Sequence, residues 1–307
     1  MHTAYITHPS FLKHNMGPDH PECAERLYAI NDQLIASGLL DHLNQYEAPA
    51  ASTEQIARVH TMEYIEWVIS KSPDSGLIDI DGDTLMNPFS LEAALHAAGA
   101  AVKAVDLVMS GEVQNAFCSI RPPGHHAGRA SSSGFCLFNN VAVGAAHALQ
   151  HHGLQRVAIV DFDVHHGDGT EDIFHDNPNV MLCSTFRHPY YPYKGADSGN
   201  SHVINAPLAA GSTGEQFRAA VTEQWLPALE QFKPQFIFIS AGFDAHREDD
   251  MGGLLLREAD YLWATEALKD IAKCHANDRI VSTLEGGYAL HALGRCVMTH
   301  IKSLSQL

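Results

Sequence analysis

Short, wholly apolar runs alternate along the chain with longer segments whose apolar positions recur every three or four residues. The short runs predict buried strands and the longer ones amphipathic helices. AYITH (4–8) reads as a strand and PECAERLYAINDQLIASG (21–38) as a helix, with Pro21 in its first turn and Gly38 at its end. SLEAALHAAGAAVKAVDLVMSG (90–111) predicts a long Ala-rich helix capped by Ser90 and closed by Gly111. NAFCSI (115–120), RVAIVDFDV (156–164), NVMLCSTF (179–186), QFIFISAGFD (235–244) and RIVSTLEGGY (279–288) read as strands. Helices are expected at 139–153, 213–232, 257–276 and 289–304. Alternating strands and helices predict an α/β fold: a mostly parallel central sheet with helices on both faces. No linker interrupts residues 115–288, so the chain 1–307 is expected to be a single domain.

In such a sheet, ligands bind beyond the carboxyl ends of the strands. The polar oddities of this sequence lie at those ends: RPPGHH after one strand, DFDVHHGDG after a second, SAGFDAH after a third and LEGGY after a fourth. Alternate side chains of an extended segment share a face, so Asp161, Asp163 and His165 point the same way. Ionised carboxylates resist burial unless something pairs with them. Asp163 and His165, joined by Asp244 from a neighbouring strand end, offer two carboxylates and one imidazole, which fits a catalytic divalent metal with an open position. Zn²⁺ is favoured, and the oxygen-rich set would also accept Fe²⁺ or Co²⁺. Asp168, before TEDIF, has a simpler alternative as a helix cap.

His125 and His126 are adjacent, and two neighbours cannot easily aim at one ion, so they are expected to flank it and move protons. Asp161 and Asp168 are the candidate partners that would fix their tautomers. Tyr288 follows a glycine pair and could donate to a developing oxyanion. Cys136 has no electropositive trigger nearby in sequence and reads as a small core residue. His14, His147, His151, His152 and His300 sit in contexts with no obvious partner.

Charge narrows the partners. Nineteen basic and 36 acidic side chains give a formal net charge of −17, which argues against nucleic acid or an anionic membrane and suits a cationic substrate or a basic peptide, although solubility alone is the more common reason for such a charge. Six scattered cysteines without a CxxC pair fit reduced thiols, and neither a signal peptide nor an apolar run of membrane-spanning length is evident. A cytoplasmic enzyme is the expectation. Its oligomeric state is not legible, though a homo-oligomer fits.

Together the segments HPECAERL, RPPGHHA, SGFCLFNN, DFDVHHGDGT, SAGFDAH and LEGGY resemble the zinc-dependent histone deacetylase superfamily, which shares its three-layer fold with arginases. RPPGHH and HPEC resemble its class II branch and the bacterial histone deacetylase-like amidohydrolases. The resemblance implies one zinc held by Asp163, His165 and Asp244. It implies His126 as the base that takes a proton from water and His125 as mainly electrostatic, with Asp161 and Asp168 behind them. Tyr288 would polarise the acetyl carbonyl. Gly134, Phe135, Tyr191 and Met251 would line the acyl-lysine tunnel, with Tyr190 or Tyr193 as alternatives to Tyr191. Potassium would bind through backbone oxygens of Asp161, Asp163 and His165, with Ser184 and Thr185, and Arg26 would line an internal cavity under the site. The implied activity is removal of acetyl from N-acetylated amines, acetyl-lysine first. The alternatives are an acetylpolyamine deacetylase, an arginase-like ureohydrolase with two metals, and a non-catalytic acyl-lysine binding protein.

Overall fold

The apolar runs pair into one parallel sheet. The computed structural model describes residues 2–306. Its eight sheet strands are β1 (Thr3–Thr7), β2 (Asn44–Glu47), β3 (Asn115–Cys118), β4 (Val157–Asp161), β5 (Val180–Arg187), β6 (Val203–Leu208), β7 (Ile237–Ala241) and β8 (Ile280–Leu284). Their order is β2-β1-β3-β8-β7-β4-β5-β6, every pairing parallel. All residues of β3, β4, β7 and β8 are buried, as expected of strands covered on both faces. Helices Ser90–Met109 and Asn140–Gln150 pack on each other, while Leu290–Leu304 packs on both Glu25–Ala36 and Glu258–His275. One continuous apolar core joins these layers.

Several expectations need correction. The first helix begins at Glu25, not near Pro21, because Glu22 is drawn inward as a buried counter-ion. Ser90 lies inside its helix rather than capping it; its hydroxyl meets His14 Nδ1 at 2.7 Å. The segment 213–232 is not one regular helix: a π-turn at Val221–Trp225 separates Gly214–Ala220 from Leu226–Phe232. The edge strands β2 and β6 were not foreseen. NQYE has half its positions exposed, and VINAPL contains Pro207, which an edge strand tolerates. Helix Met62–Ser70 and the small antiparallel pair Ile78–Asp79 with Leu85–Met86 were also missed.

The central parallel order brings the carboxyl ends of β3, β8, β7 and β4 side by side. The four polar segments noted in the sequence follow these four strands directly.

Candidate active site

Asp161 ends β4, and the chain then turns so that Asp163 and His165 face Asp244, three residues beyond β7. His165 Nδ1 lies 3.1 Å from Asp163 Oδ1 and 3.2 Å from Asp244 Oδ2. One donor atom from each of the three residues lies within 4.8 Å of the others, and all three residues are buried. Backbone N–H groups fix the carboxylates. Asp163 Oδ2 accepts from Gly286 at 2.8 Å, and Asp244 Oδ1 accepts from Val164 at 2.9 Å. A methyl on Gly242 would strike Asp163 Oδ2, and one on Gly286 would strike Asp244 Oδ2, so both positions need glycine.

The electrostatics of this trio fit a cation. Burial and then the Asp163 charge push the Asp244 carboxyl up to about 7, against the His165 N–H. Burial lowers His165, but hydrogen bonds to Asp163 and Asp244 outweigh it and raise the imidazole to about 10. Two buried carboxylates and an imidazole thus compete for one proton's worth of compensation, which a divalent ion would supply.

The histidine pair sits on the loop after β3, with rings 4.1 Å apart. His125 Nδ1 meets Asp161 Oδ2 at 2.9 Å, and His126 Nδ1 meets Asp168 Oδ1 at 2.8 Å. Asp168 opens helix Asp168–Phe174 but spends its carboxylate on His126 and on Lys194 Nζ at 2.8 Å, so the simple capping alternative fails. The two imidazoles are pushed apart. Burial lowers both, but the Asp161 and Asp163 charges raise His125 well above its ordinary value. His126 falls to about 4 because burial and the neighbouring His125 outweigh Asp168. Neutral His126, with its Nδ1 proton on Asp168, keeps a free lone pair on Nε2.

A cavity of about 230 Å³ opens above these groups, lined by Gly134, Phe135, Tyr190, Tyr191, Met251, Tyr288, both loop histidines and His165. The Tyr191 ring stands edge-on to His126 at 5.2 Å, and Tyr190 stacks on His165 at 5.6 Å. Both tyrosines therefore line the cavity. Tyr193 is exposed and faces a shallower 690 Å³ cleft beyond Asp168 and Lys194, which contains none of the three trio residues. Phe135 meets the Tyr288 ring edge-on at 6.0 Å. Ser184 pairs in register with Asp161 across β4 and β5, and Thr185 follows it, so the residues expected around potassium are adjacent. Cys136 is buried, with Sγ 3.2 Å from Gly134 O, and burial pushes its thiol well up, against a nucleophilic role.

Four supporting residues escaped the sequence reading. Glu285 Oε2 accepts from Gly124 N at 2.7 Å and His125 N at 3.1 Å, so β8 holds the histidine loop. Asp249 Oδ2 accepts from Tyr288 N at 2.6 Å and Ala289 N at 3.0 Å, fixing the turn that carries the phenol. Asp83, half-buried, joins the cavity lining. Arg26 was foreseen, but its anchor Glu22 was not: Arg26 Nε donates to Gly287 O at 2.7 Å while Nη1 meets Glu22 at 3.2 Å. Glu285 and Asp249 act on partners far away in the chain, so no local motif announces them; Glu22 lies only four residues from Arg26, but nothing in that spacing announces its burial. Asp249→Ala is expected to lower kcat about ten- to a hundredfold through a displaced Tyr288, leaving KM and metal content near wild type; steady-state kinetics with metal analysis checks the split.

Residues 20–304 match the profile of the histone deacetylase domain. A probable deacetylase of Archaeoglobus fulgidus is 38% identical over 298 residues, which cover 94% of this chain and 82% of the relative. The polyamine deacetylase HDAC10 of Homo sapiens is 34% identical over 325 residues, covering 99% of this chain and 48% of the relative. The crystal structure of the HDA15 HD domain superposes with a TM-score of 0.94 at 34% identity, over 99% of this chain and 90% of that one. The fold, the strand-end site and these likenesses agree: the chain belongs to the histone deacetylase family and is a hydrolase of the deacetylase kind.

Proposed function

We propose that the whole chain is one catalytic domain that hydrolyses the acetyl amide of N-acetylated amines, with acetyl-lysine in proteins or peptides as its main substrate. The observation that carries this reading is the neutral His126, with Nε2 free and Nδ1 on Asp168, beside a buried Asp163–His165–Asp244 trio whose His165 lines an aromatic-walled cavity. Asp163, His165 and Asp244 would hold one Zn²⁺, the family norm. When bound, such an ion supplies Lewis acidity, lowering the pKa of a coordinated water towards about 7 and polarising a carbonyl.

The chain's own residues do the rest. Phe135 and Tyr191 hold the acyl chain and exclude water. His126 Nε2 takes a proton from the attacking water, and Asp168 stabilises the resulting imidazolium. The Tyr288 hydroxyl donates to the carbonyl oxygen as negative charge grows there. His126 then returns the proton to the leaving amine. His125, kept charged by Asp161, acts electrostatically. Backbone oxygens of Asp161, Asp163 and His165, with Ser184 and Thr185, would take a potassium ion beneath the site.

A second reading, deacetylation of acetylated polyamines, is favoured by one feature: Asp83 puts a half-buried acidic group in the cavity lining. The net charge of −17 suits a basic peptide carrying the acetyl-lysine as well as a polyamine whose remaining amines are cationic. Comparing kcat/KM for an acetyl-lysine peptide and N-acetylspermidine decides between them. The peptide is expected to be the better substrate. A preference for the polyamine, abolished by Asp83→Asn, would replace the first reading with the second. Absence of turnover of either by metal-loaded protein would leave only acyl-lysine binding. No described helix is long and apolar enough to cross a membrane, and we place the enzyme in the cytoplasm on its resemblance alone.

A further inference from the structure

Among the described residues, two other groups of side chains with metal-ligating atoms lie outside the active site. One, His246 with Glu258 and Cys296, is poorly suited to an ion. His246 Nδ1 accepts the Glu248 N–H at 3.2 Å, which leaves the proton on Nε2, and Arg295 occupies Glu258 at 2.6 Å.

The other group lies where the last turn of Asn140–Gln150 meets the last turn of Ser90–Met109. Asp106, His147, His151 and His152 each bring one donor atom within 4.8 Å of the others. His147 and His151 stand four residues apart on one helical face, their rings stacked at 4.7 Å and 13°. The His152 ring is edge-on to both, at 5.3 and 4.9 Å. Nε2 of His147 and Nε2 of His152 each approach Asp106 Oδ1 at 2.8 Å. Two imidazole N–H groups thus converge on one carboxylate oxygen, an arrangement in which one ion can replace both protons.

We propose that Asp106, His151 and His152, with His147 as fourth ligand, form a second divalent transition-metal site that takes Zn²⁺. Three imidazoles and a carboxylate are a donor set suited to Zn²⁺. Ligand atoms around a tetrahedral zinc lie about 3.3 Å apart, given bonds of about 2.0 Å. The donors here already stand at 2.8 Å for the two bonded pairs and no farther than 4.8 Å for the rest, so small side-chain rotations close the site. His151 is exposed and His152 half-buried, so an ion can enter from solvent. His147 is buried and already aims Nε2 at Asp106 Oδ1.

Arg58 works against the fourth ligand. Its Nη1 donates to His147 Nδ1 at 2.6 Å, which keeps the His147 proton on Nε2, the atom that faces Asp106. Arg58 also lies 3.9 Å from Glu54, to which it can move when His147 turns its Nε2 lone pair to an ion. A zinc count of two per chain would then not imply a two-metal reaction centre.

Equilibrium dialysis of the full chain against micromolar free Zn²⁺ tests this. Wild type is expected to hold two zinc ions. The His151→Ala/His152→Ala double variant and, separately, Asp106→Asn are expected to hold one, with deacetylation of an acetyl-lysine peptide unchanged. Arg58→Gln is expected to tighten the second ion about tenfold, the scale on which a ligand's hydrogen-bond partner tunes affinity. Equal zinc content in wild type and both variants would overturn the proposal. So would a wild type that holds only one ion, or a variant that loses zinc and turnover together, since the ion lost would then belong to the active site.

Discussion

Tyr288→Phe is expected to reduce turnover of an acetylated substrate by about 10²–10³, the cost of deleting one oxyanion donor, while zinc content and thermal stability stay at wild-type levels. The substitution removes one oxygen and leaves the features that hold the ring. Asp249 still binds the Tyr288 and Ala289 N–H groups, Phe135 still meets the ring edge, and the Arg26 guanidinium stays 5.0 Å from its centroid. Burial pushes the phenol's pKa well up, against the pull of Arg26, so the group stays protonated and can donate across the neutral range. The loss should therefore fall on kcat rather than KM. Unchanged turnover would remove Tyr288 from the mechanism.

The second large effect is on stability. Glu22→Gln is expected to cost about 3–5 kcal/mol, the range for removing one partner of a buried ion pair. Glu22 is fully buried and takes Arg121 in a two-pronged contact, with Nη2 at 2.7 Å on Oε2 and Nε on Oε1. Arg26 meets it at 3.2 Å and His14 Nε2 lies 3.3 Å away. A neutral amide leaves two buried guanidinium charges without an anion. Because Arg26 also ties Gly287 O, the same change should loosen the Tyr288 turn and lower kcat.

The pH dependence of that loss has a definite sign. Burial alone would raise the Glu22 carboxyl, but Arg121, His14 and Arg26 outweigh it and hold the group far below its ordinary 4.5. A carboxylate whose folded pKa is depressed contributes its stability in full above the unfolded value and loses it as pH falls towards the folded one. The stability gap between wild type and Glu22→Gln should therefore be constant at neutral pH and shrink below about pH 4.5. Denaturant unfolding at several pH values measures it. A gap that widens in acid would mean that Glu22 is not the paired anion.

The site was legible in the sequence where its parts were local. Asp161, Asp163 and His165 follow an apolar run that has to be a buried strand, which made the cluster legible, but the strand ends at Asp161 and the bend after it, rather than strand alternation, turns Asp163 and His165 towards Asp244. His125, His126, Asp244 and Tyr288 likewise sit a few residues past recognisable strands, so parallel topology brings them together. Edge strands β2 and β6 were not legible because strands at the sheet margin need little apolar surface. Glu22, Asp249 and Asp83 escaped because their roles depend on partners far away in the chain: Glu22 lies 99 residues from Arg121, and Asp249 lies 39 from Tyr288. The histidines without evident partners divided in the same way. His300 proved a core residue between Thr265 and Ser282, and His14 a neighbour of Glu22. His147, His151 and His152 gathered on Asp106, from a different helix.

The measurement that bears most directly on the active site is anomalous diffraction at the zinc edge from crystals of the zinc-loaded, active protein. A peak about 2.0–2.2 Å from Asp163, His165 and Asp244 together, with zinc bond lengths to each, is the predicted result. An active crystal with no ion at those three residues would contradict the account.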